Sequence, residues 1–152
     1  MIDIKTRQII LDIAQKKEQI IYGARALNTQ LPVYLQKETE DYDILTKKPK
    51  KSATELVNAL KQHSNGEIEV VKAKHPGTYK VKIKGKTVVD YTQLRKQPKT
   101  KNILANKYLD LKTIKRSTQK LAKKKEAEFR REKDISTLEN IKRYEMTDFL
   151  LN

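Results

Sequence analysis

The chain has 152 residues, a formal net charge of +15 and no cysteine, which excludes a disulfide framework, a thiol nucleophile and a Cys-based zinc site. With no Trp, two Phe and 35% charged residues, its core must be built mainly from Ile, Leu and Val, in one domain or in a small core with a helical appendage. His63 and His75 lack a companion histidine, no apolar run could span a bilayer, and MIDIKTRQ has no signal-peptide profile, so a soluble, intracellular protein with no membrane partner is expected.

Ile9, Ile10, Ile13 and Ala14 recur at helical spacing behind Asp3, a suitable N-cap. Gln19-Ile20-Ile21-Tyr22 reads as a short buried strand ending at Gly23. A helical stripe of Leu27, Leu31, Tyr34 and Leu35 follows, and Pro32 kinks it or ends it early. Glu38 to Leu45 is the next predicted strand, and Lys47 to Lys51 a loop. Ser52 with Glu55 three residues later has the form of a capping box for a helix through Ala53, Leu56, Val57 and Leu60, stopped at Asn65-Gly66. Two or three strands are predicted next, over Glu67–Lys74, Tyr79–Ile83 and Thr87–Tyr91, with turns at His75-Pro76-Gly77 and Lys84-Gly85-Lys86. Beyond Gln97-Pro98-Lys99 the pattern reads as helical, with Leu104, Tyr108, Leu111, Ile114 and Leu121 on a sparse stripe. A last helix, capped by Asp134, carries Ile135, Leu138 and Ile141. The expected architecture is α/β, a mixed sheet flanked by helices. A core over residues 1–95 is followed by a basic helical extension over 96–152.

The segment that carries chemistry is Asp41-Tyr42-Asp43-Ile44. Side chains alternate along a strand, so Asp41 and Asp43 share one face and Tyr42 turns to the other. Two converging carboxylates repel unless a cation lies between them, and Mg²⁺ takes such oxygen ligands while leaving room for phosphates. Gly23 before this pair and Asp90 after it complete the pattern.

A helix, a strand ending in a Gly turn, an Asp-x-Asp strand and a later single Asp resemble the nucleotidyltransferase superfamily of polymerase β type. The spacing from YGARALN to TEDYDILT is most similar to the poly(A) polymerase-like proteins of large DNA viruses and to phage or minimal nucleotidyltransferases. The resemblance covers residues 1 to about 92. It implies that Asp41, Asp43 and Asp90 bind two Mg²⁺ ions and act in catalysis, and that Gly23, Ala24 and Arg25 approach the triphosphate of an NTP. It also implies transfer of a nucleoside monophosphate to an acceptor hydroxyl, with a nucleic-acid 3′ end suggested by the charge, in the cytoplasm or in a virion. Relatives have Gly-Gly or Gly-Ser at this turn, whereas Ala24 adds a methyl group and no hydroxyl. A second reading therefore stands beside the first: a weakly active or inactive protein of the same fold, serving as a nucleic-acid-binding, virion or assembly component of a larger complex.

The positive excess is densest between Arg95 and Arg131, where only Asp110, Glu126 and Glu128 are acidic. Arg95, Lys96, Lys99, Lys101 and the run Lys123-Lys124-Lys125 could hold an RNA or DNA backbone in a salt-dependent way. They could equally be the solvated faces of helices in a Lys-rich composition. Base stacking would fall to Tyr108 or Phe129.

Overall fold

The computed structural model describes residues 2–151, apart from the side chains of residues 125–127 and 151. Helix α1 (Ile4–Lys16) starts where Asp3 accepts the Thr6 N–H at 2.7 Å and buries Ile10 and Ala14. Strand β1 (Ile20–Tyr22) runs directly into α2 (Gly23–Gln30), which ends two residues before Pro32, and a 3₁₀ turn follows at Val33–Leu35. Strand β2 (Tyr42–Thr46), α3 (Pro49–Lys61), and strands β3 (Ile68–Lys72), β4 (Thr78–Ile83) and β5 (Lys86–Gln93) match the expected succession. A hairpin, β6 (Thr100–Ile103) and β7 (Asn106–Leu109), precedes α4 (Leu111–Ala122) and α5 (Arg131–Leu151), with a second 3₁₀ turn at Lys125–Arg130 between the helices.

The seven strands form one sheet in the order β3-β4-β5-β2-β1-β7-β6. Pairs β2–β5 and β1–β7 are parallel and the others antiparallel, so the sheet is mixed and the fold is of the α/β class. Tyr42, Ile44, Val89 and Tyr91 lie on one face of the two central strands, all buried, against the α3 side chains Ala53, Leu56 and Leu60. Burying side chains of this size stabilises by about 1.5–3 kcal/mol each before entropy is counted. Asp43 and Asp90 lie side by side on the opposite face, where their register makes them direct neighbours. Among the described residues no helix is long and apolar enough to cross a membrane.

Four sequence expectations need correction. Residues 100–109 are the β6–β7 hairpin, which joins the sheet beside β1, and not the start of a helix. Its turn places Leu104 and Ala105 at positive φ (48° and 71°), a conformation that Asn-Gly would advertise and Leu-Ala conceals. Ser52 is not a cap, because α3 begins three residues earlier with Pro49 at its first position. Glu38–Asp41 is not strand: Asn28 of α2 holds both the N–H and the carbonyl of Lys37, at 3.0 and 2.7 Å, drawing the chain off the sheet until Tyr42. Asp134 does not cap α5 either, since the helix starts at Arg131 and Asp134 is buried inside it, bonded to Arg130 at 3.1 Å.

Candidate active site

Gly23 ends β1 and opens α2 with φ +68°, in the left-handed region where a side chain is strained. A Cβ built there would overlap Asp43 Oδ2 and lie 3.1 Å from Asp43 Cγ. Glycine is thus required twice, by the backbone angle and by the carboxylate packed on it. This contact brings the N-terminus of α2 against the strand that carries the Asp pair.

Asp41 lies just before β2, Asp43 within it and Asp90 within β5. Each offers a carboxylate oxygen, and these atoms lie within 4.8 Å of one another. All three expected ligands therefore converge, and all are partly buried. Burial first, and then the Asp41 and Asp90 charges, push the Asp43 carboxyl up to about 7, against the opposing pull of Lys133 and Lys80. Asp41 is also raised, by burial and then by Asp90. Three acids in this arrangement favour a proton or a cation. An all-oxygen donor set with no histidine or thiol suits a hard divalent ion such as Mg²⁺.

Sequence reasoning missed the cations at this site. Lys80 of β4 stands opposite Asp90 in the antiparallel register and bridges Asp90 Oδ1 at 2.8 Å. The alternation of Tyr79, Val81 and Ile83 was a usable signal, since it turns Lys80 to the other face. Lys133, in the first turn of α5, acts on both Asp41 and Asp43. Its carbonyl and Thr137 Oγ1 accept from Lys37 Nζ at 3.1 and 2.8 Å, which ties α5 to the segment leading into Asp41. A hydroxyl chain also crosses the site face: Tyr22 donates to Thr92 at 2.9 Å, and Thr92 and Thr78 are 2.9 Å apart. Burial, followed among the raising influences by the Asp43, Asp90 and Asp41 charges, raises Tyr22 to about 12.

Arg25 lies over the Tyr42 ring, 4.3 Å from its centroid, and its Nε donates to the Asp41 carbonyl at 3.1 Å. It positions the Asp41 backbone. Arg95, Lys96 and Lys99 are exposed on the β5–β6 connection, Lys101 is exposed on edge strand β6, and Lys123 and Lys124 are exposed at the end of α4. The side chain of Lys125 lies outside the described residues. Tyr108 is buried in β7, while Phe129 is exposed.

A mixed sheet with a Gly turn facing three clustered aspartates defines a protein of the nucleotidyltransferase superfamily. Within that superfamily, the chain belongs to the poly(A) polymerase catalytic subunit family, whose sequence profile matches residues 8–127. The Megavirus polyadenylate synthase has a similar structure, with a TM-score of 0.82 at 19% identity over 92% of this chain and 31% of that one. JHP933 from Helicobacter pylori gives 0.55 at 16% identity, over 82% of this chain and 56% of that one. Another H. pylori structure, described as a nucleotidyltransferase, gives 0.54 at 19%, over 82% and 58%. At these identities the likeness is one of fold, and this chain spans 31% of the length of the Megavirus protein. A comparison with curated proteins found no match.

Proposed function

We propose that this chain transfers a nucleoside monophosphate from an NTP, ATP in the first instance, to an acceptor hydroxyl at a nucleic-acid 3′ end, releasing pyrophosphate. The observation that carries the reading is the convergence of Asp41, Asp43 and Asp90 within 4.8 Å beside the Gly23 turn. Asp41 and Asp43 would hold two Mg²⁺ ions, with Asp90 on one of them. When bound, these ions supply charge neutralisation for the phosphates and acidify the attacking hydroxyl.

The chain's own residues do the rest. The N–H groups of Gly23 and Ala24 open α2 and face the triphosphate, with the positive end of the helix dipole behind them. Arg25 fixes Asp41 through its carbonyl, while its guanidinium lies over the Tyr42 ring. Lys80 holds Asp90 Oδ1, leaving Oδ2 to accept the proton of the acceptor hydroxyl. The exposed residues Arg95, Lys96, Lys99, Lys101, Lys123 and Lys124, with Lys125 beside them in sequence, would bind the acceptor backbone without reading its sequence.

One observation favours the second reading, a binding or assembly component with little turnover. Ala24 offers no hydroxyl to a phosphate, and Arg25 is engaged by Asp41 and Tyr42. Titration calorimetry with Mg²⁺ and ATP separates the two. The enzymatic reading expects saturable Mg·ATP binding that Asp41→Ala abolishes. No binding by wild type, and no change on substitution, would leave only the assembly role.

A further inference from the structure

We propose a second site, for a phosphate-class oxyanion, at the far end of β2 from the aspartates, where α3 begins. Its place is set by β2 itself. Asp43 lies near the start of the strand and Thr46 at its end, about 10 Å along it at ~3.3 Å per residue. Thr46 also points to the opposite face, toward Ser52 of α3 at 2.9 Å. The site is therefore separate from the triad and does not depend on its chemistry.

A cavity of about 430 Å³ opens at this end, and five lysines line it: Lys17, Lys47, Lys48, Lys51 and Lys107. Only Glu18 and Glu55 oppose them, and Glu18 is taken up by Lys107 at 3.3 Å. The N-terminus of α3 adds to the positive potential. Its N-cap is Lys48, which makes no side-chain cap, and no acid occupies the first turn. A helix that starts on Lys-Pro-Lys-Lys places cations where its own dipole is positive, a local cost that an anion would reverse.

The independent observation is Gln19, which lines the same cavity and is 4% exposed. Its Nε2 donates to Ser52 Oγ at 3.3 Å, and its buried Oε1 has no partner among the described residues. Turning the amide over lets Oε1 accept from the Ser52 hydroxyl and leaves Nε2 without an acceptor instead. Either way one end of a buried amide is unsatisfied, at a cost that folded proteins seldom carry without use. With Nε2 in that position, Gln19 is a buried neutral donor among the residues that line a cavity with five lysines. Fixed amide and backbone donors below with mobile ammonium groups above recognise a phosphoryl group, whether free or in a nucleic-acid backbone.

The test is an amide-detected NMR titration of the metal-free protein with inorganic phosphate, and separately with a short single-stranded RNA. The proposal expects saturable shifts of the Gln19 side-chain amide and of the Lys50 and Lys51 N–H signals. Lys48→Ala with Lys51→Ala, both exposed, should weaken phosphate about tenfold. Gln19→Met should abolish the Lys50 and Lys51 shifts while the remainder of the spectrum stays folded. If RNA displaces phosphate, and the two lysine substitutions lower its salt slope by about 0.7 per lost contact, the natural source is a nucleic-acid backbone. If phosphate saturates and RNA leaves it in place, the source is a free phosphate. Shifts that do not saturate, or that are no larger here than at the exposed lysines of α4, overturn the proposal.

Discussion

Replacing Asp43 with Asn removes one charge from the triad while keeping the size of the side chain. The folded protein holds this carboxyl at about 7 against an ordinary 3.8, mainly through burial and then through Asp41 and Asp90. Between those values the folded state keeps a proton that the unfolded state has released, so stability must fall as pH rises. The penalty is absent below pH ~4, grows through the interval and is complete above pH ~7. At about 1.36 kcal/mol per unit, it reaches roughly 4 kcal/mol in metal-free protein. Asp43→Asn abolishes it, less whatever a buried amide costs, so the variant should be more stable at pH 8 and no more stable at pH 4. For a chain of this size the ceiling corresponds to a rise of roughly 8–16 °C in Tm. Thermal melts followed by circular dichroism in EDTA from pH 4 to 8.5 should show a falling wild-type Tm and a flatter variant. Adding Mg²⁺ should restore the wild type and do little for the variant. Parallel pH profiles, or equal stabilisation of both proteins by Mg²⁺, would refute the argument that the three carboxylates are held together against their own repulsion.

Other substitutions probe the supports of the site. Gly23→Ala puts a methyl group onto Asp43 Oδ2 at a left-handed backbone position, which costs about 1–2 kcal/mol before the carboxylate moves. Denaturant melts should register that loss, and calorimetry should show Mg²⁺ binding failing while the fold remains. Lys80→Met leaves Asp90 without its partner; because the lysine is one-third exposed the stability change should stay within about 1 kcal/mol. Its clearer signature is in the metal-free pH–Tm profile, whose fall should extend to higher pH because Lys80 lowers both Asp41 and Asp43 in the folded state. Leu104→Asn with Ala105→Gly suits the positive φ of the β6–β7 turn, and Leu104 is 93% exposed, so about 1–2 kcal/mol should be gained in a urea melt.

Asp43 was legible because strand alternation is a local rule, whereas Asp41 joins it from the residue just before β2. Gly23 and Asp90 were legible through their order on the chain and through the resemblance that this order carries. What escaped depends on pairings between distant segments. Lys80 meets Asp90 only through the β4–β5 register, and Lys133 reaches the triad through the docking of α5, to which Lys37 and Asn140 contribute. The β6–β7 hairpin escaped for a local reason, since neither Leu104 nor Ala105 marks a left-handed turn. Ser52 misled in the opposite sense: its S-x-x-E spacing imitates a cap, yet its hydroxyl is buried against Thr46 and Gln19.

The central claim, that Asp41, Asp43 and Asp90 form a divalent-cation site for phosphoryl transfer, is tested most directly by extension of an RNA primer with labelled ATP and Mg²⁺. Wild type should add nucleotides, and Asp43→Asn, although the more stable protein when metal-free at pH 8, should lose at least about 100-fold in rate. Equal extension by the two proteins would contradict the claim.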